Sequence, residues 1–233
     1  MGESAATAVA AKITALLKVQ REVNIIFAAA PSQNEFLAAF IAKDVEWGRI
    51  NTFHMDEYIG LHPDAPQAFG NFLKDRIFSK LPFKSINYLN GNPADMDREC
   101  ERYQNLLIQY PPDIVCLGIG ENGHLAFNDP PVANFNDNKL VKEVELDLAC
   151  RQQQVNDGCF TTIEEVPTHA LTLTIPALLS AAYLSVVVPG PAKAQAVYNT
   201  LNAPVNELNP ATILRMRRET ILYLDKASSA LIK

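Results

Sequence analysis

The chain has 233 residues, with 20 Lys+Arg against 26 Asp+Glu for a formal net charge of −6 at pH 7, and 48% of its residues are hydrophobic. That balance describes a globule with a sizeable core; it excludes a disordered chain and argues against a surface for nucleic acid. The start, Met1 to Thr7, carries Glu3 and no basic stretch, and no run approaches the ~20 apolar residues of a membrane helix, so the expectation is a cytoplasmic protein without a membrane partner.

In chain order, Ser4 to Val19 is Ala-rich with Val9, Ile13, Leu16 and Leu17 at helical spacing, which predicts an amphipathic helix. Val23 to Ala28 is a short apolar run without polar alternation, the pattern of a parallel strand covered on both faces. Pro31 then opens a helix that carries Phe36, Leu37, Phe40 and Ile41 on one face. Further strands are predicted at 49–54, 85–89, 114–117, 140–146, 170–174, 183–188 and 220–224. The clearest helices between them are 68–81, 96–109 and 193–201, each bounded by Pro, Asp or Gly. No Gly/Ser-rich linker or charge block divides the chain, so 1–233 reads as one domain. The alternation predicts an α/β fold, a three-layer αβα sandwich around a Rossmann-like, mainly parallel sheet. Such a sheet binds ligands beyond the carboxyl ends of its strands.

Three segments place polar groups there: Ala28 to Gln33, Phe53 to Leu61 and Gly118 to Pro130. The third formally matches a dinucleotide fingerprint through Gly118, Gly120 and Gly123, but it runs into Pro130-Pro131 instead of opening a long helix. Its glycines read as points where backbone approaches a small ligand, and no cofactor is expected. His124 lies five residues before Asp129, so a compact turn brings a carboxylate to its ring and fixes the tautomer. Asp56 and Glu57 are adjacent on extended chain, so only one of them faces a given pocket. Cys100, Cys116, Cys150 and Cys159 contain no CxxC pair, and His54, His62, His124 and His169 form no short-range cluster; free thiols and no metal are expected.

The segments Phe53-His54-Met55-Asp56-Glu57-Tyr58-Ile59-Gly60-Leu61 and Gly118-Ile119-Gly120-Glu121-Asn122-Gly123-His124-Leu125-Ala126-Phe127-Asn128-Asp129-Pro130 resemble the two best-marked motifs of the glucosamine-6-phosphate deaminase/isomerase family, in order and spacing. That family shares its fold with 6-phosphogluconolactonases. The resemblance implies a cofactor-free reaction in which an aminosugar phosphate opens, a proton moves from C2 to C1, and ammonia leaves a ketose phosphate. It implies that Asp56 is the enolisation base, His124 the ring-opening catalyst and Asp129 the acid partnered to that histidine. Lys193, after Pro189-Gly190-Pro191, matches the phosphate-binding lysine. Ala30, Ser32, Gln33, Gly120 and Asn122 are carried over as substrate-binding positions. Where the family places a phosphate-binding arginine, near Asp157-Gly158-Cys159, this chain has nothing basic, and Arg151 is the nearest substitute. Asp129 stands where the family often has Glu, Asn122 where it often has Asp, and Ala28-Ala29-Ala30 where it usually has a Gly-rich phosphate loop. The expected partners are a small-molecule sugar phosphate and, where the protein assembles, further copies as a homo-oligomer. Three alternatives accompany the glucosamine 6-phosphate reading: galactosamine-6-phosphate isomerase, a 6-phosphogluconolactonase-like hydrolase, and a sugar-phosphate sensor without turnover.

Overall fold

The computed structural model of the chain describes residues 1–232. A six-stranded sheet forms its centre, built from β1 (Val23–Phe27), β2 (Ile50–His54), β4 (Ser85–Asn87), β5 (Ile114–Leu117), β8 (Tyr183–Val188) and β9 (Thr220–Leu224). The order across it is β4-β2-β1-β5-β8-β9, and every neighbouring pair is parallel. Successive residues of a strand point to opposite faces. Val23, Ile25 and Phe27 of β1 therefore join a core with Val9 and Ile13 of α1 (Gly2–Leu17) and Phe36 and Phe40 of α2 (Asn34–Phe40). Ile26 of the same strand joins a second core on the other face, with Tyr103 and Leu107 of α4 (Met96–Gln109) and Val197 of α7 (Ala194–Asn202). Two apolar faces with helices on each give the expected three layers.

The eight predicted strands are all present, but two of them lie outside the parallel sheet. β6 (Val141–Glu145) and β7 (His169–Leu173) pair antiparallel with each other, and β7 pairs antiparallel with β3 (Asp56–Tyr58), a strand the sequence pattern did not reveal. The sequence of β6 explains its departure. Val141 and Val144 point to opposite faces and are buried in different cores, Val141 with Leu173 and Val144 with Ala170, while Lys142, Glu143 and Glu145 are not buried, so the strand lacks the near-continuous apolar run of a parallel strand covered on both faces. β3 escaped notice because it is three residues long and follows β2 after Met55 alone. The predicted helix 68–81 is also shorter than expected: α3 (Phe69–Leu73) passes into a π turn over Lys74–Phe78. Two further helices, α5 (Leu148–Asn156) and α6 (Ile175–Leu178), complete the fold.

The chain runs from β1 outward through β2 to β4, then returns to β5 beside β1 and runs outward the other way through β8 to β9. The strand order thus reverses between β1 and β5, and the crevice at their carboxyl ends is where an open parallel sheet binds ligands. No helix among the described residues is long and apolar enough to cross a membrane.

Candidate active site

A cleft opens at that reversal point. It is walled by the segment after β1 (Ala28 to Gln33), by Met55 and Asp56 after β2, by the loop after β5 (Gly118 to Phe127), and by Lys193 after β8. Asp56 and His124 line the same cleft, although they stand 68 positions apart in the sequence.

Asp56 is positioned by the corner between β2 and β3. His54 is fully buried, and its ring is fixed at both nitrogens: Leu89 N–H donates to Nε2 at 2.9 Å, so Nδ1 carries the proton and donates to the Asp56 carbonyl at 2.9 Å. Burial holds this imidazole neutral, its pKa lowered to about 4. Register with Thr172 of β7 fixes Asp56 from the other side. The Asp56 carboxyl has no hydrogen-bond partner for its buried Oδ1. Burial, with the Glu57 charge beside it, pushes its pKa well above the usual carboxylate range.

Glu57 turns away, as alternation on a strand requires. Its Oε1 accepts from Tyr58 N–H and Phe69 N–H at 2.9 Å each, and its Oε2 accepts from Gly70 N–H at 2.8 Å. The acid therefore satisfies the free amides at the start of α3. Burial raises its pKa to about 6 against the lowering effect of those three amides.

The loop after β5 folds back on itself through Gly120 N–H to His124 carbonyl at 2.9 Å and Gly123 N–H to Gly120 carbonyl at 3.0 Å. Gly120 is required by contact: a Cβ there would lie 2.3 Å from His124 Cε1, inside the imidazole. Asn128, fully buried, anchors the far end of the loop by donating to the carbonyls of Leu125 and Leu173 at 2.8 Å each. Ala126 sits between them at φ 51°, a left-handed conformation that costs a non-glycine residue ~1–3 kcal/mol and persists because these bonds over-determine the turn.

His124 Nδ1 lies 2.9 Å from Asp129 Oδ1 and 2.8 Å from Asn122 Oδ1, both acceptors, so Nδ1 carries the proton and Nε2 is the ring's free acceptor. Asn122 also donates from Nδ2 to Asp129 Oδ1 at 2.8 Å. Burial would raise Asp129, but the His124 ring and the bonds from His124, Asn122 and the Cys150 thiol outweigh it and hold the carboxyl below its ordinary range. His124, Asp129 and Cys150 are the one trio of metal-ligating types that converges among the described residues. Its donors bond one another, and burial drives the Cys150 thiol strongly upward, so the trio forms a hydrogen-bond chain in place of an open ligand set.

Lys193 is buried at the end of a single 3₁₀ turn, Pro191–Lys193, and its ammonium has no hydrogen-bond or ion-pair partner among the described residues. Burial lowers its pKa, with Asp157 and Glu121 opposing. Of the expected substrate-binding positions, Ala30, Ser32, Gln33, Gly120 and Lys193 line the cleft. Two do not. Asn122 is spent on holding His124 and Asp129. Arg151 points elsewhere, its guanidinium donating to the Val166 carbonyl from Nη2 at 2.9 Å and to the Ile163 carbonyl. The sequence reading missed Gln153, Gln154 and Asp157, which reach the cleft from α5 and the residue that follows it. α5 has no apolar periodicity. Its one signal is the N-cap, where the Asp147 side chain accepts from Cys150 N–H at 2.7 Å.

A model of the glucosamine-6-phosphate isomerases/6-phosphogluconolactonase family matches residues 1–223. A glucosamine-6-phosphate deaminase of Listeria innocua is 35% identical over 212 residues, 91% of this chain and 88% of the relative. One of Streptococcus sanguinis is 32% identical over 206 residues, 88% of this chain and 86% of the relative. Among solved structures, a monomeric glucosamine-6-phosphate deaminase superposes with a TM-score of 0.88 at 28% identity, covering 99% of this chain and 95% of that one. A 6-phosphogluconolactonase of Thermotoga maritima shares the fold, with a TM-score of 0.77 at 19% identity over 96% of this chain and 94% of that one.

Proposed function

The chain belongs to the glucosamine-6-phosphate isomerase/6-phosphogluconolactonase family, and from that premise we propose that it is an enzyme converting an aminosugar phosphate, glucosamine 6-phosphate, to fructose 6-phosphate and ammonia. The observation that carries the reading is the pairing, in one cleft, of an unpartnered buried carboxyl, Asp56, with an imidazole of fixed tautomer, His124.

The chemistry follows from the two environments. Ring opening moves the anomeric hydroxyl proton to the ring oxygen, and His124 Nε2 serves as the acceptor and then the donor while Asp129 and Asn122 keep Nδ1 protonated. The open-chain aldehyde acidifies the C2 proton. Asp56, freed of hydrogen bonds and raised by burial, is a stronger base than an ordinary carboxylate; it takes that proton and returns it to C1. The nitrogen is then doubly bonded to C2, water adds at that carbon, and ammonia departs. One water is consumed and no electrons leave the sugar.

Lys193 supplies the ammonium for the phosphate, with the Ser32 hydroxyl as a further donor. The cleft draws on residues from Ala28 to Lys193, which supports reading the chain as one domain. Four free cysteines suit a reducing compartment and support a cytoplasmic location.

Ammonia release from glucosamine 6-phosphate tests the reading. The wild type is expected to release it, Asp56→Asn to lose the activity, and His124→Gln to slow it by about 10²–10⁴-fold, the usual worth of a positioned general acid or base. Binding of the sugar phosphate by the wild type without turnover would leave a sensor in place of an enzyme.

A further inference from the structure

Two neighbouring glutamines of α5 have opposite fates. Gln153 accepts from Glu121 N–H through Oε1 at 2.8 Å and donates from Nε2 to Asp157 Oδ2 at 3.3 Å, so both ends of its amide are taken inside the protein. Gln154 lines the cleft at 7% exposure, and its amide bonds to no group among the described residues. Other unpartnered acceptors of this fold, Gln33 Oε1 and Asn128 Oδ1, are sealed from any ligand; neither amide atom of Gln154 is sealed in that way. The small area that Gln154 keeps therefore includes Oε1 and Nε2, and it opens on the cleft that the residue lines. An amide so nearly removed from water is costly unless something entering the cleft completes it.

Its place in the fold and the chemistry of the sugar say what that is. Cys150 precedes Gln154 by four residues on α5, and such pairs have Cβ atoms ~5–6 Å apart on one helix face. The Cys150 sulfur lies within 4.8 Å of ring and carboxylate atoms of His124 and Asp129, so Gln154 stands about one helical turn from that pair. The remaining polar groups of the cleft are occupied. Asp56 serves C2 and C1, His124 serves the ring and anomeric oxygens, and Lys193 with Ser32 serves the phosphate. Asp157 is bonded to Gln153, and Gln33 Nε2 donates inward to the Val187 carbonyl and Ser32 Oγ, both at 3.2 Å. An aminohexose 6-phosphate then has two hydroxyls left, on the adjacent carbons C3 and C4. A primary amide offers one acceptor and two donors side by side, which matches a pair of neighbouring hydroxyls; a phosphate dianion presents acceptors alone and leaves Oε1 unmatched.

We propose that Gln154 is a substrate-binding, specificity-determining residue of this cleft: its amide bridges the C3 and C4 hydroxyls of the bound sugar, Oε1 accepting from one and Nε2 donating to the other. The proposal rests on the deaminase reading and deepens it. Neither hydroxyl reacts, so the contact holds the sugar between the base at one end and the phosphate site at the other.

The test measures kcat/KM for ammonia release from glucosamine 6-phosphate and from its 3-deoxy and 4-deoxy analogues, in the wild type and in Gln154→Met. Methionine keeps the length of the side chain and removes both hydrogen-bonding atoms. The wild type is expected to favour the parent sugar over each analogue by about tenfold or more, the worth of a hydrogen bond whose partner is left unmatched. Gln154→Met is expected to lower kcat/KM for the parent sugar and to reduce each of the two ratios by about that factor. Gln154→Leu repeats the comparison should the methionine variant fail to fold. A wild type that handles either deoxy sugar as well as the parent overturns the proposal without any variant. A ratio that the folded variant leaves in place for either analogue overturns it too, and both results leave the deaminase reading standing. Ammonia from none of the three sugars overturns the deaminase reading, and this proposal with it.

Discussion

Asp56 carries opposite demands. A buried carboxyl with an unpartnered oxygen destabilises the fold when it ionises, yet the same burial makes it the base that proton transfer between neighbouring carbons needs. Asp56→Asn removes the charge and keeps the shape. The variant is expected to gain roughly 1–2 kcal/mol at pH 7, about 3–6 °C in Tm, while losing turnover. Thermal melts of both proteins check this; a lower Tm for the variant would contradict it. The sign of the pH dependence follows. A carboxyl raised in the fold contributes stability that is present while it is protonated, below its ordinary pKa, and lost as the pH rises through the raised value. The Tm advantage of Asp56→Asn should therefore be absent near pH 4 and grow as the pH rises from there to the raised value. Activity runs the other way, since the base must be ionised: the acid limb of kcat/KM is expected above the usual carboxylate range. Gly120 gives a second test at this scale. Gly120→Ala places a methyl group within the van der Waals envelope of the His124 ring, and a displacement of ~1 Å costs about 10² in rate, so kcat should fall by about that factor while the fold persists.

Among elements, the short antiparallel sheet and α3 hold the base in place. Glu57 ties β3 to the first amides of α3, and Glu57→Ala leaves the Phe69 and Gly70 N–H groups without their acceptor. A loss of ~1–3 kcal/mol is expected in denaturant unfolding, with faster amide exchange at Phe69 and Gly70; unchanged exchange there would contradict the role. The parallel strands were legible because Val23 to Phe27, Ile114 to Leu117 and Tyr183 to Val188 are near-continuous apolar runs, interrupted by Asn24 and Ser185 alone, as two-sided burial demands. The alternation of Asp56 and Glu57 was legible too, since one faces the cleft and the other faces α3. β3 was not, because three polar and aromatic residues after β2 carry no pattern of their own. Gln153, Gln154 and Asp157 were hidden for a related reason: a polar helix positioned by tertiary contacts has no periodicity to read. Arg151 illustrates the limit of counting charges along a chain, since nearness in sequence to Asp157 placed it beside the cleft and the carbonyls of Ile163 and Val166 took it away.

At the scale of the molecule, the reversal of strand order between β1 and β5 brings together segments that the sequence keeps far apart. Asp56 arrives from one half of the sheet, His124 from the central strand β5, and Lys193 from the other half, so the site exists only when the whole parallel sheet is formed. The central claim is that one carboxylate and one imidazole act on neighbouring atoms of one sugar. The most direct measurement is the fate of deuterium placed at C2 of glucosamine 6-phosphate, followed by NMR during turnover. The wild type is expected to remove it and to show a slowed rate relative to the protonated sugar, and Asp56→Asn is expected to leave the label on C2. Loss of the label at the wild-type rate in Asp56→Asn would contradict the account.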